Sequence, residues 1–349
     1  MRLITKKTGS ELTLIGRIVR KCVYAYLFFR ISTLGFTLLL PLLGAASSQQ
    51  SLPEKSVFVM LTVGIAFHIF AYVLNDIIDL QVDRSEPLRA DSPLVQGKID
   101  PRKALRLVLL QPPLAFAIAY FAGATSSALT MLGIAFLALA VYDIYGKRCP
   151  VPLFTDVIQA VGWCTLLLFG TFLYKPVLHH DTLWLLTCVF VYVLLINGIH
   201  GGVRDLANDH THQARTTAIW LGARSTSESQ IKLPIKLIAY GFLLQAAMVT
   251  CAIFCLNSIN YPIHEFWVAA VPVLTGLAIS TIMLMGVLLR LSVRRKLVAF
   301  GATHTFISMA VLPALYLPVL SPATVVTVIA VFALPTLAMY LYNGSRWCL

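Results

Sequence analysis

Charged residues are scarce in this chain. Of its 349 residues, 58% are hydrophobic and only 12% are Asp, Glu, Lys or Arg, whereas ordinary soluble domains carry about 25% charged residues. Because so apolar a chain has too little polar surface to cover itself in water, we expect its surroundings to be lipid. The composition therefore argues against a soluble globular protein.

Paired cysteines and a signal-peptide pattern are also lacking. The seven cysteines are scattered without a CxxC spacing, and several stand inside apolar runs. A disulfide framework or a zinc site is therefore not expected. The first residues are basic but are not followed directly by a short apolar core with a small-residue cleavage site, so we expect no removable signal peptide.

Long apolar runs dominate what is present. A helix needs roughly 20 mostly apolar residues to cross the hydrocarbon core, and ten runs qualify, although the last two are separated only by a Ser321-Pro322 turn. The predicted fold is an all-α polytopic membrane bundle of nine to ten transmembrane helices, with a cytosolic basic segment at 1–25, one transmembrane domain at 26–343 and a cytosolic tail at 344–349. The runs lie near 26–47, 57–80, 104–123, 125–145, 153–175, 182–203, 235–257, 265–290, 298–319 and 322–343.

Basic residues fall in every second loop. The N-terminal segment and the even-numbered loops hold most of the Lys and Arg, whereas the odd-numbered loops hold only Lys55 and Lys175. Because cytosolic loops are enriched in Lys and Arg, we expect both termini and the even loops to be cytosolic. The same bias accounts for the formal charge of +12 without nucleic-acid binding.

Most carboxylates share the basic side, which the orientation rule does not require. The second span ends in Asn75-Asp-Ile-Ile-Asp-Leu-Gln-Val-Asp-Arg84, so Asp76, Asp79 and Asp83 fall at i, i+3 and i+7 on one helical face. Three carboxylates at a membrane helix end are costly unless something neutralises them. Mg²⁺ does so well, since it takes one or two carboxylates and completes its shell with water and substrate phosphates.

A similar stripe ends the sixth span. Asp205, Asn208 and His212 repeat the i, i+3, i+7 spacing, with Asp209 beside them at i+4. Two such stripes, four spans apart, suit two half-sites that face each other across a bundle. One alternative is that both stripes are ordinary solvated helix ends.

Another alternative is a metal site ligated by histidines. Its ligands would be His200, His210 and His212. His210 and His212 point to different sides of a helix, because residues two apart do not share a face. No further group of histidines supports this reading.

Basic and aromatic residues lie between the stripes. The segment Tyr142–Arg148 holds a Lys-Arg pair, which either signals topology alone or clamps an anionic substrate and stabilises charge on its leaving group. Tyr142 and Tyr145 either pack or present an aromatic face to a nearby cation. Further candidates for the anion clamp are Arg89, Lys98 and Arg215.

These motifs resemble the UbiA superfamily of intramembrane prenyltransferases. The first family motif, NDxxDxxxD, reads NDIIDLQVD here, and the central Tyr…Lys-Arg element is similar to Tyr142–Arg148. The second acidic motif, with its Thr-rich stretch and Leu-Gly, resembles 205–222, and the Arg-Pro-Leu-x-x-Gly element is echoed in 89–97 with extra residues. Arg30 stands where the first span of the family often has an Arg. The likeness covers roughly residues 26–225.

The resemblance implies a Mg²⁺-dependent transfer of a prenyl group from an isoprenyl diphosphate to a small aromatic or otherwise electron-rich acceptor, at a site embedded in the bilayer. Metal ligands would be Asp76, Asp79, Asp83, Asp205 and Asp209. Catalytic residues would be Asp76, Asp79, Lys147, Tyr142, Tyr145, Asp205 and Asp209. Diphosphate-binding residues would be Asn75, Arg89, Lys98, Lys147, Arg148, Arg204 and Arg215. Acceptor-binding residues would be Arg30, Asn208 and His212.

The chain also departs from the family pattern. Asn208 and His212 stand where acids are frequent, so the second metal half-site would depend on Asp205 and Asp209. The first span lacks the Asp-Lys-Pro of 4-hydroxybenzoate-type members, which argues against a ubiquinone-pathway acceptor. A terpene cyclase on the same scaffold, in which the substrate's own alkene captures the cation, remains open. A transporter is disfavoured, because the ionisable groups lie at span ends rather than at mid-depth.

Overall fold

A computed structural model describes residues 14–48, 52–175, 177–227, 230–290 and 292–347. The first thirteen residues of the predicted basic segment and the last two of the predicted tail lie outside these ranges. The described chain forms fifteen α-helices and one β-hairpin. The helices are α1 (Leu14–Phe28), α2 (Leu34–Ser48), α3 (Glu54–Ile78), α4 (Leu80–Asp83), α5 (Pro101–Phe121), α6 (Ser126–Tyr145), α7 (Pro152–Thr171), α8 (His180–Leu195), α9 (Gly202–Arg204), α10 (Leu206–Thr211), α11 (Thr217–Trp220), α12 (Ile235–Ser258), α13 (Ile263–Leu289), α14 (Arg294–Ala314) and α15 (Pro322–Trp347).

Shorter elements connect these helices. A π-helical turn at Ile196–Gly201 joins α8 to α9, so the sixth span runs continuously to Arg204. The antiparallel hairpin of β1 (Arg224–Ser227) and β2 (Gln230–Lys232) lies in the loop before α12. The 3-10 turns are Ile31–Thr33, Pro87–Arg89 and Leu317–Val319.

Nine helical segments of the described chain are long and apolar enough to cross a membrane, which confirms the predicted all-α polytopic bundle. The tenth predicted run corresponds to α15, whose apolar stretch Pro322–Pro335 is shorter than the nine others. The nine segments are Ile31–Ser48, Glu54–Ile78, Pro101–Phe121, Ser126–Tyr145, Pro152–Thr171, His180–Arg204, Ile235–Ser258, Ile263–Leu289 and Arg294–Val319.

The first span starts later than its hydropathy predicts. The predicted run near 26–47 is divided at Arg30, whose φ of 45° and ψ of 46° place it in the left-handed region. That conformation is sterically unfavourable for a residue with a Cβ atom and cannot continue a right-handed helix. Arg30 therefore separates α1 from the spanning segment that begins at Ile31.

The bundle is tightest where α2 crosses α7. A Cβ atom on Gly170 would lie 1.9 Å from the Pro41 carbonyl oxygen, and one on Gly44 would lie 2.0 Å from the Leu167 carbonyl oxygen. Small residues at such crossings let helix backbones touch, which is a common way to pack helices in lipid. This contact fixes the buried α2 against the wall of the central cavity described below.

Candidate active site

A cavity of about 940 Å³ opens at the end of the bundle where α3, α6 and the sixth span finish. Its mouth is highly charged, and its interior is lined by aromatic and aliphatic side chains. The mouth includes Asp79, Asp83, Arg89, Lys147, Arg204, Asp205, Asp209, Arg215, Arg294 and Arg295. The interior includes Phe36, Tyr72, Leu139, Trp163, Tyr192, Phe306 and Met309.

Lys147 joins the two acidic segments across this mouth. Its Nζ atom lies 3.1 Å from Asp79 Oδ2 and 3.2 Å from Asp209 Oδ1. The turn that carries Lys147 is held by the backbone N–H of Arg215, which donates to the Lys147 carbonyl at 2.9 Å. The segments that the sequence predicts to face each other therefore do meet, with a lysine between them.

The charges around Lys147 shift its titration and that of Asp209. Burial by itself lowers the pKa of Lys147, but Asp79 and Asp209 outweigh it and raise that pKa above its ordinary value. Burial raises the pKa of Asp209 to about 6, although Lys147 opposes this. The amine is thus held as a cation between the two carboxylates.

Asp76 has a different environment from the other members of its stripe. It is only 4% exposed and is absent from the cavity lining given for the described residues. Arg30 Nε donates to Asp76 Oδ2 at 3.1 Å, and Arg30 Nη2 donates to both Asp76 Oδ1 and Asn75 Oδ1. In this structure Asp76 therefore holds Arg30 at the cavity wall, and Arg89, which lies 3.9 Å from both Asp76 Oδ1 and Asp83 Oδ2, links it to the next aspartate of the stripe.

Arginines neutralise the remaining two aspartates of the mouth. Burial raises the pKa of Asp83, although Arg89, whose Nε lies 3.9 Å away, opposes the shift. Burial also favours a raised pKa for Asp205, yet the Arg204 guanidinium outweighs it and lowers the pKa to about 2. Arg204 Nε and Nη2 donate to the Asp205 carboxylate at 2.8 and 2.6 Å.

Arg294 and Glu86 support the mouth from the start of α14. Arg294 Nη2 donates to both Glu86 carboxylate oxygens at 3.1 Å, and the same guanidinium donates to the Arg204 carbonyl. This fork links the loop after α4 to the end of the sixth span. This link could not be predicted, because Arg294 and its basic neighbours resemble an ordinary positive-inside signal in the sequence.

The donor set of the mouth fits Mg²⁺ that arrives together with a diphosphate. Within the described ranges no group of three His, Cys, Asp or Glu forms a ready-made metal site. Asp79, Asp83, Asp205 and Asp209 nevertheless line one cavity, and Mg²⁺ characteristically takes few protein carboxylates and fills its shell with phosphate oxygens and water. The three-histidine alternative finds no support, because His200 pairs with His304 while His212 contacts Ser85.

Several predicted site residues lie away from the cavity. Tyr145 is 58% exposed at the end of α6, and Arg148 follows it in the same turn. Lys98 donates to the Tyr24 hydroxyl and lies over that ring, which ties its loop to α1. Helical spacing alone does not show which residues of a span end turn toward the bundle axis, and the predicted roles of Tyr145, Arg148 and Lys98 stay predictions.

Asn208 and His212 also have structural partners outside the cavity. Asn208 Nδ2 donates to the Val82 carbonyl at 2.8 Å, and Ser85 Oγ donates to Asn208 Oδ1 at 2.8 Å. His212 Nε2 lies 2.7 Å from the same hydroxyl. Both residues tie α10 to the loop after α4, so the geometry gives their predicted acceptor-binding role no direct basis.

Two buried carboxylates were not among the predicted site residues. Asp143 Oδ1 accepts from Asn75 Nδ2 at 3.3 Å, while its buried Oδ2 atom has no partner among the described residues. Asp156 Oδ2 accepts from Thr217 Oγ1 at 2.5 Å. Both line the cavity, and the only sequence signal for them was their position within apolar spans, where ionisable residues are costly.

A bundle of membrane-length helices around a cavity with a charged mouth and an apolar interior defines an integral, multi-pass membrane protein with a candidate site at one end of the bundle. Residues 34–285 match the model of the UbiA prenyltransferase family, so the chain belongs to this family. The predicted resemblance and the predicted class of enzyme, a prenyltransferase, are thereby confirmed. No curated protein sequence matches the chain.

Solved structures of UbiA homologues share the fold. An apo homologue from Aeropyrum pernix K1 is similar over 85% of this chain and 98% of its own, with 18% identity and a TM-score of 0.60. A homologue from Archaeoglobus fulgidus bound to GPP and Mg²⁺ is similar over 83% and 99%, with 16% identity and a TM-score of 0.60. A digeranylgeranylglyceryl phosphate synthase is similar over 89% and 99%, with 17% identity and a TM-score of 0.53.

Proposed function

We propose that the protein transfers the prenyl group of an isoprenyl diphosphate, bound with Mg²⁺, to a small electron-rich acceptor and releases diphosphate. The observation that carries this proposal is the cavity itself, in which carboxylates and cations alternate at the mouth above an aromatic interior. An amphiphile with an anionic head and an apolar tail matches both parts. The Archaeoglobus fulgidus homologue bound to GPP and Mg²⁺ supports the same substrate class.

The metal ligands would be the aspartates that line the mouth, Asp79, Asp83, Asp205 and Asp209. When bound, Mg²⁺ neutralises the diphosphate and so stabilises the charge that develops as the C–O bond breaks. Asp76 would contribute only if it released Arg30, because that guanidinium occupies both of its oxygens.

Cationic side chains would bind the diphosphate oxygens directly. Lys147 is held at the mouth by Asp79 and Asp209, and Arg89, Arg204 and Arg215 line the same opening. Arg side chains suit this task because their planar fork matches phosphate oxygens. Such preorganised cations stabilise the leaving group without having to reorient during the reaction.

The interior would shelter the allylic cation from water. Trp163 lies in an aromatic cluster, with ring centroids 5.1 Å from Phe36 and 6.0 Å from Tyr72. Aromatic faces stabilise a nearby cation, and the apolar walls exclude the water that would capture it. Tyr142, whose hydroxyl accepts from Asn197 Nδ2 at 3.4 Å, lies on the same wall nearer the mouth.

Arg30 would orient the acceptor. It lines the cavity, its guanidinium lies 5.6 Å from the Tyr72 ring centroid, and its pairing with Asp76 limits its motion. We also propose that this face of the bundle is cytosolic, because the basic loops all lie on it. Labelling of single cysteines introduced in the loops, from either side of sealed vesicles, tests that orientation.

The function is tested with purified protein, geranyl diphosphate and Mg²⁺. We expect Asp79→Asn and Asp209→Asn each to lower diphosphate release at least about 100-fold, and Glu265→Gln, on the opposite side of the bundle, to leave it unchanged. Retained release in the doubly substituted protein would contradict the assignment. Incubation without an acceptor identifies a cyclase, because only a cyclase would convert the substrate efficiently to a hydrocarbon or a cyclic alcohol.

A further inference from the structure

A chain of buried hydrogen bonds crosses three helices and ends at the cavity wall. It begins at the α13 backbone, passes through Gln245 of α12 and His304 of α14, and reaches His200 in the π-helical turn. Gln245 and His304 are 2% and 0% exposed, whereas His200 lines the cavity. None of these polar groups takes part in the metal or diphosphate sites described above.

The first links fix the orientation of the Gln245 side-chain amide. The hydroxyls of Ser280 and Thr281 donate to the Leu277 carbonyl at 3.0 and 2.8 Å. Since their hydrogens are used there, both hydroxyls accept from Gln245 Nε2, at 3.0 and 2.9 Å. The carbonyl oxygen of the amide is therefore the atom that faces His304.

The next links fix both imidazole tautomers. His304 Nε2 lies 3.3 Å from Gln245 Oε1 and 3.4 Å from Ser308 Oγ. The amide oxygen only accepts, whereas a hydroxyl both donates and accepts, so the arrangement that satisfies both contacts places the hydrogen on Nε2. In a neutral imidazole the other nitrogen then has a lone pair, so His304 Nδ1 accepts from His200 Nε2 at 2.8 Å. Because His200 Nε2 carries the hydrogen, His200 Nδ1 has a lone pair in the neutral ring. Nδ1 has no hydrogen-bond partner among the described residues.

His200 belongs to the lining of the cavity in which the proposed transfer would take place. His200 and Gly301 both line the cavity, and a Cβ atom at Gly301 would come within 2.7 Å of His200 Nδ1, so this glycine leaves room for the ring. His200 precedes Asp205 by five residues, roughly 7 Å deeper along the helix axis. It therefore lies between the charged mouth and the aromatic interior.

We propose that His200 is the catalytic base of the transfer step and that the acceptor reacts through a proton-bearing atom, such as the ring carbon or oxygen of a phenol. The inference rests on the proposed function. The acceptor's electron pair forms the bond to the prenyl carbon, and the C–O pair leaves with the diphosphate. The proton that the acceptor loses moves to His200 Nδ1, and His304 positions the ring by accepting from Nε2.

The transfer step is tested with geranyl diphosphate, Mg²⁺ and three probe acceptors: 4-hydroxybenzoate, 1-naphthol and a long-chain primary alcohol. In the wild type we expect diphosphate and prenylated probe in equal amounts. In the His200→Gln variant we expect at least one hundredfold less prenylated probe, about what loss of a general base costs, while diphosphate release, which depends on the unchanged carboxylates and cations of the mouth, falls less. Imidazole is expected to restore part of the transfer in His200→Ala.

Control variants separate a base from a structural residue. His264→Gln, at an exposed histidine on the opposite side, should leave transfer unchanged. His304→Asn keeps one acceptor and one donor and should retain transfer better than His304→Leu. Diethyl pyrocarbonate, which attacks imidazole lone pairs, should modify His200, and geranyl diphosphate with Mg²⁺ should protect it.

Several results would overturn the proposal. One is transfer at the wild-type rate in His200→Gln, and another is transfer that is lost in Asp143→Asn but retained in His200→Gln. A third is a His200 that diethyl pyrocarbonate does not modify. The fourth is release of diphosphate by the wild type without prenylation of any probe. Absence of diphosphate release from the wild type would instead contradict the proposed function itself, and the His200 modification would then show separately whether the hydrogen-bond chain is oriented as described.

Discussion

Arg30 combines an unfavourable backbone conformation with a buried ion pair. Its φ of 45° is in the left-handed region, and its guanidinium holds Asp76, which is only 4% exposed. A residue stays in such a conformation only where surrounding contacts require it, and such residues concentrate at functional sites. The ion pair supplies that requirement here.

Substitution of Arg30 should therefore have two separable effects on stability. Arg30→Ala leaves the buried Asp76 carboxylate with only the longer ion pair to Arg89, whose Nη1 lies 3.9 Å from Asp76 Oδ1. We expect it to lower the free energy of unfolding by about 3 kcal/mol. Arg30→Gly should be less damaging by about 1–2 kcal/mol, because glycine adopts the left-handed conformation without a Cβ clash. Thermal unfolding in detergent measures both, and equal stability of the two variants would contradict the backbone argument.

Lys147 is the residue on which the two acidic segments converge. We expect Lys147→Met to lower diphosphate release from geranyl diphosphate about 100-fold or more, because a preorganised cation is lost from the leaving-group site and Asp79 and Asp209 repel each other. Steady-state rates over a range of Mg²⁺ concentrations check this. Lys175→Met, on the other side of the bundle, is the matched control, and comparable losses in both variants would argue against a role at the site.

The sequence predicted those residues whose placement depends on helical periodicity. The face shared by Asp79 and Asp83 follows from spacing alone, and so does the pairing of two acidic span ends. Asp143 and Arg294 were not among the predicted site residues, and His200 was considered only as a metal ligand, because long-range packing brings all three to the cavity. The exposure of Tyr145 at the end of α6 could not be predicted, because spacing does not show which side of a span end faces inward.

The α2–α7 crossing is the element contact with least tolerance for added atoms. We expect Gly170→Val to lower the free energy of unfolding by about 2 kcal/mol, because its Cβ atom would lie 1.9 Å from the Pro41 carbonyl and force the backbones apart. Thermal unfolding of the purified variant tests this. Gly286→Ala is the control, since its Cβ atom would meet no atom of the described chain within 4 Å.

Hydropathy predicted the helix boundaries except where an unusual backbone conformation interrupts a helix. The spans predicted near 125–145 and 235–257 correspond closely to α6 and α12. The run near 26–47 did not reveal the break at Arg30, because hydropathy averages over a window and contains no information about φ. The π-helical turn before Asp205 was likewise invisible to a periodicity of 3.6 residues.

At the scale of the molecule, the resting site is already balanced in charge. Seven basic and six acidic residues line the cavity in the described chain. We therefore expect a chelator to leave the unfolding temperature of the ligand-free protein unchanged, unlike that of domains whose fold depends on a metal. Geranyl diphosphate with Mg²⁺ should raise it, because ligands that bind only the folded state stabilise it. A marked fall with the chelator alone would show that a metal is structural.

The ion pair between Lys147 and its two aspartates has a consequence for how substrate arrives. Mg²⁺ and the diphosphate carry opposite charges of similar size. When they enter together, they would replace the ion pairs between Lys147 and its aspartates, and the net charge of the site would stay nearly constant. Long-range attraction from solution then contributes little, and salt should affect the association rate only weakly. Selection would depend on the short-range fit of head and tail once the amphiphile is already in the bilayer.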